Sequence, residues 1–177
     1  MKPRRPRYTL IERQVAKLLS DAGVTAPPVP IEKVIRSRGI KLRVADLGHG
    51  ASGVLVRGEG SLVIGVNRKD PRTRQRFTAA HELGHALLHD GDPVHYDPGF
   101  RINLRSELSS QGVDVEEVEA NHFAASILMP SEFLLADPNV FLIDAEDPEA
   151  LAPLAKRFGV STLALGLRLS RLASHSG

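Results

Sequence analysis

Residues 81–85 read His81-Glu82-Leu83-Gly84-His85, a spacing with a mechanical consequence. On an α-helix, His81 and His85 stand one turn apart on one face, so both imidazoles can reach one metal ion. Glu82 is rotated off that line, close enough to hold a water beside the ion without filling a coordination position. Two histidines with an offset carboxylate form a zinc-hydrolase pattern, in which the metal polarises a carbonyl and Glu82 is the general base for the attacking water. The expected cofactor is Zn2+ and the expected activity that of a zinc metalloendopeptidase.

A catalytic zinc takes three protein ligands and keeps a fourth position open. His89 is on the same run, but eight residues along a helix is about 12 Å from His81, too far for a shared ion. The longer histidine motif would need its third His at Gly91, so that class is excluded. The next carboxylates follow Asp114. Glu117 and Asn121 lie four apart on one helical face, which continues through Ala120, Ala124 and Ala125 to Leu128. These small residues predict a helix pressed against Gly84, with Glu117 as third metal ligand and Asn121 hydrogen-bonding a ligand from behind. A rival reading makes Glu117 a capping partner of Asp114. Glu119 is expected to meet solvent, and His95 is the fallback ligand. His95 and Tyr96 are candidate oxyanion donors, and Arg74 and Arg105 candidate substrate binders.

The elements that must position these groups follow from pattern and punctuation. Asp70-Pro71 predicts the start of the zinc helix, and Asp90-Gly91-Asp92-Pro93 its end, with Gly91 left-handed. Upstream, Thr9-Leu10-Ile11-Glu12 reads as a capping box, opening a helix with Leu10, Val15, Leu18, Leu19 and Ala22 inward and Gly23 ending it. Pro30 starts a second helix running to about Arg38. Residues 40–44, 53–56 and 61–66 read as strands, the last two joined by a turn at Arg57-Gly58-Glu59-Gly60. Residues 90–113 are polar, with a short strand at Arg101–Leu104. A long helix from Val115 to Met129 stops at Pro130, and Val140–Ile143 is strand or helical turn. Asp147-Pro148 and Ser161 cap two final helices around Gly159. The fold class is α+β, zincin-like, with a small antiparallel sheet packed on the zinc helix. We divide the chain into a metallopeptidase domain, 1–146, and a helix-turn-helix-like segment, 147–177, packed on it.

Composition narrows the classes. The formal net charge is +2 and there is no cysteine, which removes disulfides, thiolate ligands and a thiol nucleophile. So small a charge gives no argument for nucleic-acid binding. The basic start has no apolar run behind it and no stretch reaches the ~20 apolar residues of a membrane span. A cytoplasmic protein without membrane contact is expected.

Three blocks in order, Arg76-Phe77-Thr78-Ala79-Ala80-His81-Glu82-Leu83-Gly84-His85, Glu117-Val118-Glu119-Ala120-Asn121-His122-Phe123-Ala124-Ala125 and Ile127-Leu128-Met129-Pro130, resemble the ImmA/IrrE metallopeptidases. Pro27-Pro28-Val29, Ser52-Gly53 and Leu154–Ser161 extend the likeness over most of the chain. The resemblance implies a gluzincin-like hydrolase with His81, His85 and Glu117 as ligands and Glu82 as general base. It further implies a protein substrate, a repressor of the helix-turn-helix type, and a place in transcription regulation, stress response or mobile-element control. Two other classes remain open. The protein could be a non-catalytic regulatory module with a structural zinc that docks DNA or a repressor; residues 149–173 read helix, Gly-turn, helix, although the leucines of the last helix favour packing over direct nucleic-acid binding. A zinc hydrolase acting on something other than peptides is the third reading.

Overall fold

The computed structural model describes residues 5–48, 50–97, 114–138 and 140–175, apart from the side chains of Phe141 and His175. Two helices open the chain, α1 (Tyr8–Asp21) and α2 (Ile31–Ser37), before the strands β1 (Lys41–Ala45), β2 (Gly53–Gly58) and β3 (Ser61–Asn67). The helix bearing the two histidines, α3 (Arg72–Leu88), comes next, then β4 (Val94–Asp97) and α4 (Val115–Leu128). A short α5 (Ser131–Leu135) and a 3-10 turn at Val140–Leu142 lead to α6 (Pro148–Phe158) and α7 (Thr162–His175). The fold is α+β.

The sheet is mixed rather than antiparallel, which corrects the expectation. Its order is β1-β3-β2-β4. β2 and β3 form the expected hairpin, with Gly58 opposite Ser61 across a two-residue turn. β1, however, pairs with β3 and runs parallel to it, with Leu42 opposite Ile64. β3 lies between β1 and β2 in the sheet, so these sequence neighbours are not spatial neighbours. β4 then adds to the far side of β2, with His95 opposite Leu55 and Asp97 opposite Gly53. This strand falls in the polar stretch 90–113, where none was expected at residues 94–97. The strand expected at residues 101–104 lies outside the described residues.

Side chains alternate across a strand, so Leu55 of β2 and Ile64 and Val66 of β3 face the core beneath the sheet. α3 packs there and meets α4 on its other side, while α1 covers α4. Ile11, Val15, Leu18 and Leu19 supply the buried stripe of α1; Leu10 is exposed, one position off the expected stripe. The same continuous core takes in Leu151, Leu154 and Phe158 of α6 and Leu165 and Leu169 of α7.

Several helix ends obey local chemistry. Gly23 and Gly159 are left-handed (φ 64° and 67°) where α1 and α6 stop. Asp147 accepts from the Glu149 amide, and Ser161 from that of Ala164. Three ends do not. Glu12 makes no capping box because it is engaged by α4 and α7 (His122 Nε2, 3.0 Å; Arg168 Nη1, 3.3 Å). α3 begins after Pro71 without a side-chain cap, and Asp70 instead accepts Gln75 Nε2 on its carbonyl at 2.7 Å. Its end is set at His89, whose backbone is extended (φ −127°); Gly91 is not left-handed but leaves room for the Arg57 guanidinium.

Candidate metal centre

Gly84 sits mid-helix, where it costs about 1 kcal/mol relative to alanine. The reason is the approach of α4: a Cβ at Gly84 would lie 3.2 Å from the Ala120 Cα and 3.2 Å from Phe123. With Ala120 and Ala124 fully buried at this contact, the backbones come close enough for side chains along one edge of both helices to meet. At that edge His81 Nε2 and His85 Nε2 are 3.1 Å apart. Glu117 reaches in from the first turn of α4, with Oε2 3.4 Å from His81 Nε2 and Oε1 3.0 Å from His85 Nε2.

Donors bound about 2.0–2.1 Å from a tetrahedral ion stand roughly 3.3 Å from one another. The three separations at the α3–α4 edge bracket that value, so these residues fit zinc. His95 Nε2 joins the cluster from β4, 3.6 Å from Glu117 Oε1, and all four donors lie within 4.8 Å of one another. His95 faces inward because β4 alternates. Tyr96, one residue on, is turned to the other face and is 67% exposed, away from the cluster. Arg105 lies outside the described residues.

The far nitrogens of both histidines are held. Asn121 Oδ1 is 2.9 Å from His81 Nδ1, an arrangement in which Nδ1–H donates and Nε2 keeps its lone pair. His85 Nδ1 is 3.1 Å from His89 Nδ1, and His89 Nε2 is 3.0 Å from Glu119 Oε2. One tautomer set satisfies the whole line: His85 donates to His89, and His89 to Glu119. Glu119 is fully buried, which corrects its expected exposure. Beyond His89, it accepts Arg7 through the backbone N–H (2.7 Å), Nε (2.9 Å) and Nη2 (2.7 Å). Asp114 caps α4 through the Glu116 amide, not through Glu117.

Glu82 has no such support. It is fully buried, and neither carboxylate oxygen has a hydrogen-bond partner among the described residues. Burial pushes its carboxyl up to about 8, opposed by His81 and reinforced by Asp97 and Glu117. Its room is provided by Gly53, where a Cβ would meet Thr78 Cγ2 at 2.5 Å and Glu82 Oε1 at 3.0 Å. Burial also draws His85 down to about 4. Glu117 goes the other way: burial raises it, but hydrogen bonds with His81 and His85 prevail and hold it well below the carboxylate range.

Arg57 and Asp97 complete the surroundings, and neither was singled out for the site in the sequence. Arg57 extends from β2 to the exposed carbonyls ending α3, donating to His85 O (3.0 Å) and His89 O (3.3 Å), where a cation is favoured. Asp97 shares the inward face of β4 with His95, and burial raises its carboxyl. Its signal was the i,i+2 spacing, unreadable until residues 94–97 are known to be a strand.

The chain is similar to several known proteins. The chain is 31% identical over 123 residues to an uncharacterized immunity region protein 2 of Bacillus phage phi105, covering 70% of each. It is 36% identical over 100 residues to the radiation response metalloprotease IrrE of Deinococcus deserti, 56% of this chain but 32% of that protein. A Mycobacterium tuberculosis transcriptional regulator has the same fold (TM-score 0.61, 20% identity) over 92% of this chain and 46% of its own. The chain thus spans about a third of that metalloprotease and under half of that regulator. Residues 35–170 match the model of a peptidase family described as IrrE N-terminal-like domain. Carrying that match through its sheet, both site helices and most of α7, the chain belongs to the IrrE N-terminal-like domain family of peptidases.

Proposed function

We propose that this protein is a zinc-dependent endopeptidase in which His81, His85 and Glu117 hold the metal and Glu82 is the general base. The observation that carries the reading is the convergence of three donors at 3.0–3.4 Å beside a buried carboxylate with no hydrogen-bond partner among the described residues. A bound zinc supplies a Lewis acid for the scissile carbonyl and acidifies water near neutral pH, and its charge favours the ionised form of Glu82. Glu82 accepts the proton of the attacking water and returns it to the leaving amine. Asn121 and His89 fix the imidazole tautomers. His95, on the open side of the cluster, is the candidate donor to the oxyanion. β4 ends the sheet order among the described residues, which suits an extended substrate added as a further strand.

The substrate we favour is a helix-turn-helix repressor. The immunity-region name of the phage relative and the radiation-response name of the metalloprotease support a regulatory setting. A repressor-docking module with a structural zinc is the second reading, favoured by His95 as a possible fourth ligand. Reading of DNA by α7 has little support: Arg168 is 3% exposed and tied to Met129 O and Glu12. Among the described residues no helix is long and apolar enough to cross a membrane.

The test is elemental analysis with a cleavage assay on a repressor encoded beside the gene and on a random peptide library. About one zinc per wild-type chain, its loss in Glu117→Ala, and intact zinc with at least about 100-fold less cleavage in Glu82→Gln are expected. Wild type that holds zinc but cleaves neither would leave the docking module; wild type that takes up no zinc would end the peptidase reading.

A further inference from the structure

One turn from the metal cluster, the edge shared by α3 and α4 opens into a cavity of about 190 Å³. Its position follows from helix periodicity. On α3, His85, His81, Thr78 and Arg74 succeed one another at three- or four-residue steps; on α4, Glu117, Asn121 and Ala125 do the same. The upper members of both rows are the metal-binding candidates, and the lower members, with Phe77, line the cavity. α7 closes it with Ala164 and Leu167, and Arg168 and Arg171 add their side chains to the wall. Asn121 belongs to both places, holding His81 Nδ1 at 2.9 Å while lining the cavity wall.

Thr78 belongs to both as well. Its methyl packs at Gly53 beside Glu82. The residue is 1% exposed, and its hydroxyl is buried with no hydrogen-bond partner among the described residues. A cavity of about 150 Å³ lined by apolar side chains admits benzene, so this one has room for a side chain up to the size of phenylalanine.

We infer that this cavity receives the apolar side chain of the substrate residue next to the scissile bond, making Thr78, Ala125, Ala164 and Leu167 the residues that select the substrate. The inference rests on the peptidase reading and assigns α7 a role in it: the last helix supplies the outer wall of a specificity pocket. The substrate class is a polypeptide with leucine, methionine or phenylalanine at that position. Filling the cavity from α7 should shift selection to small residues while leaving metal and general base in place. Ala164 is only half-buried, so a larger side chain there can enter the cavity without displacing the core.

The probes are two zinc-chelating succinyl hydroxamates that differ only by a 2-isobutyl branch, titrated calorimetrically into zinc-loaded wild type and Ala164→Phe. In wild type the branched compound should bind at least about tenfold tighter. In Ala164→Phe that advantage should vanish, with zinc content and affinity for the unbranched compound unchanged. Should Ala164→Phe fail to fold, Ala125→Leu is read the same way. Equal binding of the two compounds by wild type, or an advantage that survives filling, overturns the pocket and spares the metal centre. If zinc-loaded wild type binds neither compound, the peptidase reading falls and the pocket with it.

Discussion

His89 places its Nδ1 3.1 Å from Nδ1 of His85, four residues before it on the chain. His85 can hold zinc through Nε2 only in the tautomer that carries its proton on Nδ1, and His89 Nδ1 accepts the hydrogen bond from that N–H because its own Nε2–H is committed to Glu119. Groups of this kind behind a metal ligand are typically worth about 10–100-fold in metal affinity. His89→Ala and Glu119→Leu should weaken zinc binding by that order in a chelator competition, with His89→Ala still folded by circular dichroism. An unchanged affinity in both would reduce the line to structural filling.

His95 separates the open site from the closed one. If it serves the oxyanion, His95→Ala should keep about one zinc per chain and lose about 100-fold or more in kcat with little change in KM. Zinc lost together with activity would mean a fourth ligand and a structural ion.

Gly84→Ala should be destabilising although alanine is the better helix former. The added Cβ meets the α4 backbone at 3.2 Å, and such overpacking costs about 1–3 kcal/mol against a helix-propensity gain of about 1 kcal/mol. Because the helices must part to relieve it, zinc affinity should fall with the melting temperature. A more stable protein with unaltered zinc affinity would contradict this account of the contact.

Glu12 supplies a pH signature remote from the metal. Burial raises its carboxyl, but the hydrogen bond from His122, the charge of Arg168 and the hydrogen bond from Ser126 outweigh it and hold it at about 2. A depressed carboxyl stabilises the fold above its ordinary value near 4.5 and loses that contribution as pH falls through its folded value. Its side chain is partly exposed, so the effect is moderated by solvent. Melting temperature should drop more steeply between pH 5 and pH 3 in wild type than in Glu12→Gln. Parallel curves would show that the α1–α4–α7 link carries no proton-linked stability.

What could be read in the sequence was what local chemistry decides. Periodicity marked α3 and α4, and caps at Gly23, Asp147 and Gly159 marked ends, because those depend on neighbours in the chain. The pairing of Gly84 with the small residues of α4 was also legible, since a mid-helix glycine needs a close partner. Glu119 was not. Its burial depends on Arg7, 112 positions away, and a helical wheel cannot foresee a cation arriving from another element. Thr9-Leu10-Ile11-Glu12 failed for the same reason, with Arg168 and His122 claiming the glutamate. The sheet order was hidden because the segment between β1 and β2 can serve a hairpin or a crossing equally well. β4 was hidden because Val94-His95-Tyr96-Asp97 becomes a strand only by pairing with β2.

The contact at Gly84 sets the separation between the histidine pair and Glu117 by helix packing rather than by the chain that joins the two helices. The connection between α3 and α4 can therefore vary in length and sequence between related proteins without moving those three donors, provided His89 is kept and Val94–Asp97 still pairs with β2. Divergence of that connection is then decoupled from preservation of the metal-binding geometry. A connection transplanted from one relative to another, with His89 and His95 kept, would leave the recipient both its own ion and its own side-chain selectivity.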